Sequence, residues 1–236
     1  MPRLITKFVA ALVIAFTSAC GDSNEAYFPL DTSVWRYYQT ETRILDETKK
    51  QRIMAGIAEI TKTEKGAVYV HRHVPDQDTF LQISGDGIYR LARRDRSRLT
   101  EIWDAAPIKL LPTEPSLGDS WIVPSELALI ESRTFARQDR LRNRTIALDL
   151  SQEVTGLGEL VTVPAGTFKN CLLVKSTGTV DVRTDRGNAN AEVMITQQDW
   201  YARGVGLVKS ERLEESASPF LKSGNYKQVL IAIGDQ

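Results

Sequence analysis

Short runs of alternating apolar and polar residues, each closed by a turn, fill most of the chain beyond residue 32. A period of two sends successive side chains to opposite faces of an extended strand, so each run reads as a half-buried β-strand. The runs are Ser33 to Ile44, Arg52 to Lys62, Ala67 to Val74, Thr79 to Ser84 and Ile88 to Arg93, then the shorter Thr100 to Trp103 and Ile108 to Leu111. Further along come Leu127 to Arg137, Thr145 to Gly156, Glu159 to Val163, Thr167 to Val182, Glu192 to Ala202, Leu207 to Glu214 and Tyr226 to Ile233. Thr63 to Gly66, Gly85 to Gly87, Pro164 to Gly166 and Gly204 to Gly206 supply the hairpin turns. About a dozen strands at this spacing predict an all-β, mainly antiparallel fold. One large curved sheet, or a half-open barrel or sandwich, needs only hairpin connections. The absence of βαβ alternation excludes a doubly wound fold. Leu127, Ile130 and Phe135 give Ser125 to Arg142 a ragged helical stripe. The β-branched and aromatic residues in it favour a strand, paired with Thr145 to Gly156 across Gln138 to Arg144.

The 236 residues are 42% hydrophobic and 25% charged, which excludes a disordered chain and a multispanning helical membrane protein. Thirty basic and thirty acidic side chains cancel, so a dedicated nucleic-acid binder is not expected. The first residues are of a different kind. Arg3 and Lys7 precede an apolar run from Phe8 to Phe16, and the small residues Thr17, Ser18 and Ala19 lead to Cys20. A basic start, a short apolar run and a small-residue cleavage site make a secretory signal over residues 1–19. Nine apolar residues are too few to span a bilayer, which takes about 20. Residues 20–26, from Cys20 through Gly21 to Ala26, are small and polar and read as a tether, with a single β-rich domain over 27–236.

Thr17-Ser18-Ala19-Cys20 resembles the lipobox of bacterial lipoproteins, with Thr17 where Leu is usual. That resemblance implies cleavage before Cys20, a diacylglycerol thioether on its sulfur and a palmitate-type acyl chain on its amino group. Such chains on one residue suffice for stable membrane attachment. Gly21 in place of Asp implies, by the enteric sorting pattern, the outer membrane, with the domain facing the periplasm. An ordered series of phrases carries a second resemblance: Tyr27-Phe28-Pro29-Leu30 with Trp35 and Tyr37, Asp86 to Tyr89, Leu110 to Pro112, Gly118 to Trp121, Val163 to Phe168 and Trp200 to Lys209. Together they resemble bacterial lipoproteins and periplasmic proteins known as domains of unknown function. An antiparallel β-sheet protein of the cell envelope is what this implies; it brings no catalytic residues.

Cys171 is the one cysteine besides Cys20, and its strand-like setting predicts a buried, inert thiol. Trp35, Trp121 and Trp200 are expected in the core, each with an N–H seeking a partner. His71 and His73 are the only histidines, and as His-x-His on a strand they point the same way. A metal would need a third ligand from Asp76 or Asp78; without it the pair reads as two solvent-facing histidines beside Arg72 on a polar sheet face, and no metal or other cofactor is assigned. There is no Gly-x-Ser-x-Gly elbow, no dinucleotide loop at Gly156-Leu-Gly158 and no Walker loop. Two arginine runs stand out: Arg90, Arg93, Arg94, Arg96 and Arg98, and Arg133, Arg137, Arg140, Arg142 and Arg144. Arginine suits bidentate recognition of phosphate or carboxylate. Arg93, Arg94, Arg96, Arg140, Arg142 and Arg144 are therefore candidate anion-binding residues, against solvated loop charge balanced by Asp95, Glu101, Glu131 and Asp139.

These observations lead to a non-enzymatic, outer-membrane-anchored periplasmic lipoprotein that works in binding or envelope assembly. Its partners would be the membrane, through the lipid on Cys20, and an anionic lipid or an envelope protein. A half-barrel carrier of a hydrophobic ligand and an envelope hydrolase with a spatially assembled site are the alternatives.

Overall fold

The computed structural model describes residues 26–44, 47–64, 66–98, 100–132, 146–183 and 190–235. Cys20, Arg140, Arg142 and Arg144 lie outside the described residues. Among those described there is no α-helix. The strands are β1 (Val34–Ile44), β2 (Glu47–Thr63), β3 (Gly66–Val74), β4 (Gln77–Ser84), β5 (Gly87–Asp95), β6 (Thr100–Pro112), β7 (Ser120–Glu126), β8 (Glu131–Ser132), β9 (Ala147–Val163), β10 (Gly166–Arg183), β11 (Asn190–Ala202), β12 (Gly206–Glu215), β13 (Leu221–Lys222) and β14 (Gly224–Asp235).

Twelve of them form one antiparallel sheet in the order β6-β5-β4-β3-β2-β1-β14-β12-β11-β10-β9-β7. Strands β1 to β6 are a simple meander. The chain returns at its end to lay β14 against β1, Trp35 opposite Gly234 and Thr40 opposite Gln228. The free edges, β6 and β7, come round towards each other, so the sheet is a barrel closed except at this seam. Leu111 of β6 and Trp121 of β7 join Tyr27, Val154, Leu172 and Val174 in one apolar cluster, which holds the two edges near. β8 and β13 form a separate two-stranded ribbon.

Alternation does what the sequence predicts. β11 buries Ala191, Val193 and Ile195 and exposes the residues between them. The long β9–β10 hairpin bends over until the Ala165 N–H donates to the Leu230 carbonyl of β14. Val161, Val163 and Cys171 thereby reach Tyr38, Ala55, Val208 and Leu230. Both sheet edges carry a proline inside the strand, Pro107 in β6 and Pro124 in β7. Proline cannot donate to a ladder, so it is tolerated at an edge and discourages pairing with a further strand.

Three elements differ from expectation. The two short runs at 100–103 and 108–111 are one strand, interrupted by a bulge: Ala92 pairs with Trp103 and Arg90 with Ile108, leaving Asp104 to Pro107 to loop out. The partner of β9 is β7, with Val123 opposite Leu150. The strand expected from Leu127 to Arg137 does not start as a run: Leu127 still donates to the Ile146 carbonyl, but residues 128–130 leave the sheet, because a buried carboxylate takes their N–H groups, and residues 133–137 lie outside the described residues. Trp35 and Trp121 pack as expected, but among the described residues neither indole N–H has a hydrogen-bond partner.

Candidate functional site

Three neighbouring cross-strand rows build the most polar part of the N-terminal half. The first runs Arg36, Ala55, His73, Gln77. The third runs Ile57, His71, Thr79, Arg93. The row between them runs Trp35, Gly56, Arg72, Asp78, Arg94, Glu101 and points to the opposite face.

The middle row is an ion ladder. Asp78 is buried and accepts Arg72 Nε at 2.8 Å and Arg94 Nη2 at 2.6 Å, with Arg96 Nε 3.9 Å away. Arg94 reaches on to Glu101 at 3.4 Å and lies 5.2 Å over the ring of Phe80. Burial pushes the Asp78 carboxyl up, but hydrogen bonds from Arg72 and Arg94 outweigh it and hold the group below the usual carboxylate range. Arg90, likewise, makes a two-bond contact to Asp104 across the β6 bulge, at 2.8 and 3.1 Å. Arg98 has Asp95 at 3.6 Å.

The first and third rows face the barrel interior and are different. His73 Nε2 and His71 Nδ1 lie 3.1 Å apart, so one ring donates to the other. Phe28 stands edge-on to His71, ring centres 5.4 Å apart. Burial is the main cause that lowers the pKa of both imidazoles, and at His71 the charges of His73 and Arg36 add to it. Both rings are neutral at neutral pH. Asp78, a possible third ligand for a metal on this pair, belongs to the opposite face and to the arginines. Among the described residues no three His, Cys, Asp or Glu side chains are placed to hold an ion.

Arg36 is only 5% exposed. Its Nε donates to the Val205 carbonyl and its Nη1 to the Val34 carbonyl. Beside it Gly206 takes φ 92°, a backbone conformation that residues with a side chain rarely adopt. Arg36, Tyr38, His71 and Tyr201 enclose a cavity of about 70 Å³ beneath Phe28. Burial pushes both phenols up, well above the ordinary tyrosine value for Tyr201. The next cleft, about 300 Å³, shares Phe28 and His71 with it and adds His73, Gln77, Thr79 and Arg93.

Of the candidate anion-binding residues, Arg93 therefore faces this cleft, whereas Arg94 and Arg96 sit on the other face with Asp78. Arg36 was not legible as a site residue; the one signal was a basic residue inside an otherwise aromatic run, Trp35-Arg36-Tyr37-Tyr38.

The N-terminal segment lines the cavity. Ala26 accepts the Gly204 N–H at 2.9 Å, and the Tyr27 hydroxyl donates to the Asn170 carbonyl at 3.2 Å. Tyr27 is buried, with the Arg203 guanidinium 4.4 Å over its ring. The chain leading back to Cys20 thus meets the domain beside the cleft.

A family model described as DUF3108-like matches residues 142–218, about a third of the chain, including all of β9 to β12. Two of the phrases that resemble domains of unknown function, at Val163 to Phe168 and Trp200 to Lys209, fall within this match. No curated protein matches the chain. It is similar to the crystal structure of a candidate lipoprotein from Parabacteroides distasonis, at 14% identity over 89% of this chain and 98% of that one, TM-score 0.38. It is also similar to a candidate exported protein with a YmcC-like fold from Bacteroides fragilis, at 16% identity over 89% and 99%, TM-score 0.39.

Proposed function

We propose that the protein is an outer-membrane lipoprotein, anchored through Cys20 and facing the periplasm, that acts by binding rather than by catalysis. The observation that carries this reading is the way the amino-terminal segment joins the domain. Six residues separate Cys20 from Tyr27, which is built into the core. Six residues span at most about 20 Å. A lipid on Cys20 would hold the domain close to the bilayer, with the Phe28 side of the barrel nearest to it. The enclosed cavity of about 70 Å³ is well below the roughly 300–1,000 Å³ of a drug-sized ligand pocket. That favours a small polar ligand in the neighbouring cleft over an acyl chain inside the barrel.

The test is Cys20→Ser. The variant is expected in the soluble periplasmic fraction, or as an unprocessed precursor, while the natural chain sediments with the outer membrane. A variant that stays with the outer membrane after high-salt washing would sink the lipid-anchor reading.

A further inference from the structure

We propose that the cleft beside Phe28 is a phosphate site, and that the phosphate it takes is that of a membrane lipid headgroup. Arg93 is the principal contact, Thr79 and Gln77 are neutral donors, and Arg36 supplies positive charge from behind. The choice of a headgroup over free phosphate rests on the anchored reading given above; the phosphate chemistry does not.

Charge is the first ground. Arg72, Arg90, Arg94 and Arg98 each have a carboxylate within 3.6 Å. Arg93, in the middle of this group, has no hydrogen-bond or ion-pair partner among the described residues. Arg36 is buried against two carbonyl oxygens, which orient a guanidinium without neutralising it; the Asp31 carboxylate acts on it through its charge alone, with no hydrogen bond between them. Burying a guanidinium is costly, and an anion in the adjoining space offsets part of that cost. Each carboxylate nearest the cleft already has partners, Asp104 through Arg90, which itself lines the space. Asp104 holds Arg90, Asp95 holds Ser97 and Arg98, and Asp31 holds Ser33.

Donor geometry is the second ground. Thr79 stands opposite both His71 and Arg93 in one row, and Gln77 opposite His73 in the other. A neutral imidazole has one N–H. One of the two is used between the rings, and either tautomer leaves the other N–H free for an acceptor. A guanidinium fork, a hydroxyl, an amide and an imidazole N–H around about 300 Å³ match a tetrahedral oxyanion carrying part of a glycerol headgroup. The short tether brings such a phosphate within reach.

The experiment uses the full chain with Cys20→Ser, so that no acyl anchor contributes. Its sedimentation with phosphatidylcholine vesicles, with and without phosphatidylglycerol, is measured, and inorganic phosphate is added as competitor. Phosphatidylglycerol should confer binding, and inorganic phosphate should displace it. Arg93→Gln should weaken binding about tenfold, as expected for losing one charge-assisted contact. Thr79→Val should weaken it less. Arg98→Gln, which removes the same charge from an exposed side chain, should leave it unchanged. Equal losses in Arg93→Gln and Arg98→Gln would mean diffuse surface charge and would overturn the site. Binding of inorganic phosphate that depends on Arg93, without vesicle binding, would overturn the headgroup and leave a free-phosphate site. Binding to neither would overturn both. Because the anchor is absent throughout, failure of the Cys20 fractionation test leaves this result standing, and the reverse holds too.

Discussion

The carboxylate of Glu214 accepts the backbone N–H of Leu129 at 2.8 Å, across 85 residues of sequence. The same carboxylate takes the N–H groups of Ala128 and Ile130, both at 3.1 Å, and the guanidinium of Arg212 at 2.7 Å. Glu214 is fully buried. Three successive N–H groups aimed at one side chain cannot also enter a ladder, which is why the chain leaves the sheet after β7. The arrangement seats Ile130 over Leu150, Val182, Val193 and Ile195 and closes that part of the core.

Glu214→Ala should therefore be among the most destabilising single changes. It leaves three N–H groups and Arg212 without their acceptor, at a cost of about 3–5 kcal/mol. Urea unfolding measures it. A loss below about 1 kcal/mol would mean that water replaces the carboxylate without penalty.

Gly224→Ala tests the same contact from the other side. A Cβ at Gly224 would run into the carbonyl of Leu129, whose Cβ is itself only 2.7 Å from that point. Overpacking of this kind costs about 1–3 kcal/mol. Combined with Glu214→Ala the effects should be less than additive, since both release the same segment.

Asp78→Asn should cost about 2 kcal/mol, less than a fully buried pair because Arg72 and Arg94 are 29% and 26% exposed. Because the folded-state pKa of Asp78 is depressed, its contribution is present above the unfolded carboxylate value of about 4 and fades as pH falls through the folded value. Acid unfolding midpoints of the natural chain and the variant would show this directly, and identical curves would contradict it.

His71 and His73 have the opposite dependence. Their folded pKa values lie below the unfolded value of about 6.5, so the unfolded chain binds more protons there. Stability should fall as pH drops from about 7 to 5, and His71→Gln should flatten the slope. Asp199 pulls the other way: burial raises its carboxyl despite hydrogen bonds from Ser210 and Gln197. It therefore contributes stability as pH falls through its raised folded value, and Asp199→Asn should steepen the decline. Melting temperatures across this range decide it; a flat curve for the natural chain and both variants would refute the assignment.

Cys171 is fully buried, and burial, with Glu159 nearby, raises its thiol pKa. A thiol reagent should label it only after unfolding. Rapid labelling of the native protein would show that the β9–β10 hairpin opens from β14.

The barrel was legible because alternation and turn chemistry are local properties, and β11 or β5 could be bounded almost to the residue. What escaped depends on distant partners. β7 carries Pro124, which reads as a break until the strand is known to lie at an edge. Residues 128–130 look strand-like until Glu214, 85 positions from Leu129, takes their N–H groups. The arginine run shows the same limit within the site. Arg93 and Arg94 are adjacent in sequence, yet the pleat sends one to the cleft beside Phe28 and the other to Asp78.

The pairing of β1 with β14 has a consequence for how the molecule is made. The first strand of the meander has its second neighbour about 200 residues later in the chain, so its second edge stays unpaired until β14 has been made. Strands β1 to β6 can zip up in order through short hairpins, while the central seam of the finished sheet waits for β14. Contacts of such long range make folding slow, and an open edge in the interval is a template for pairing with another chain. Truncation before β14 would therefore damage the middle of this sheet, between β1 and β12, and not its margin.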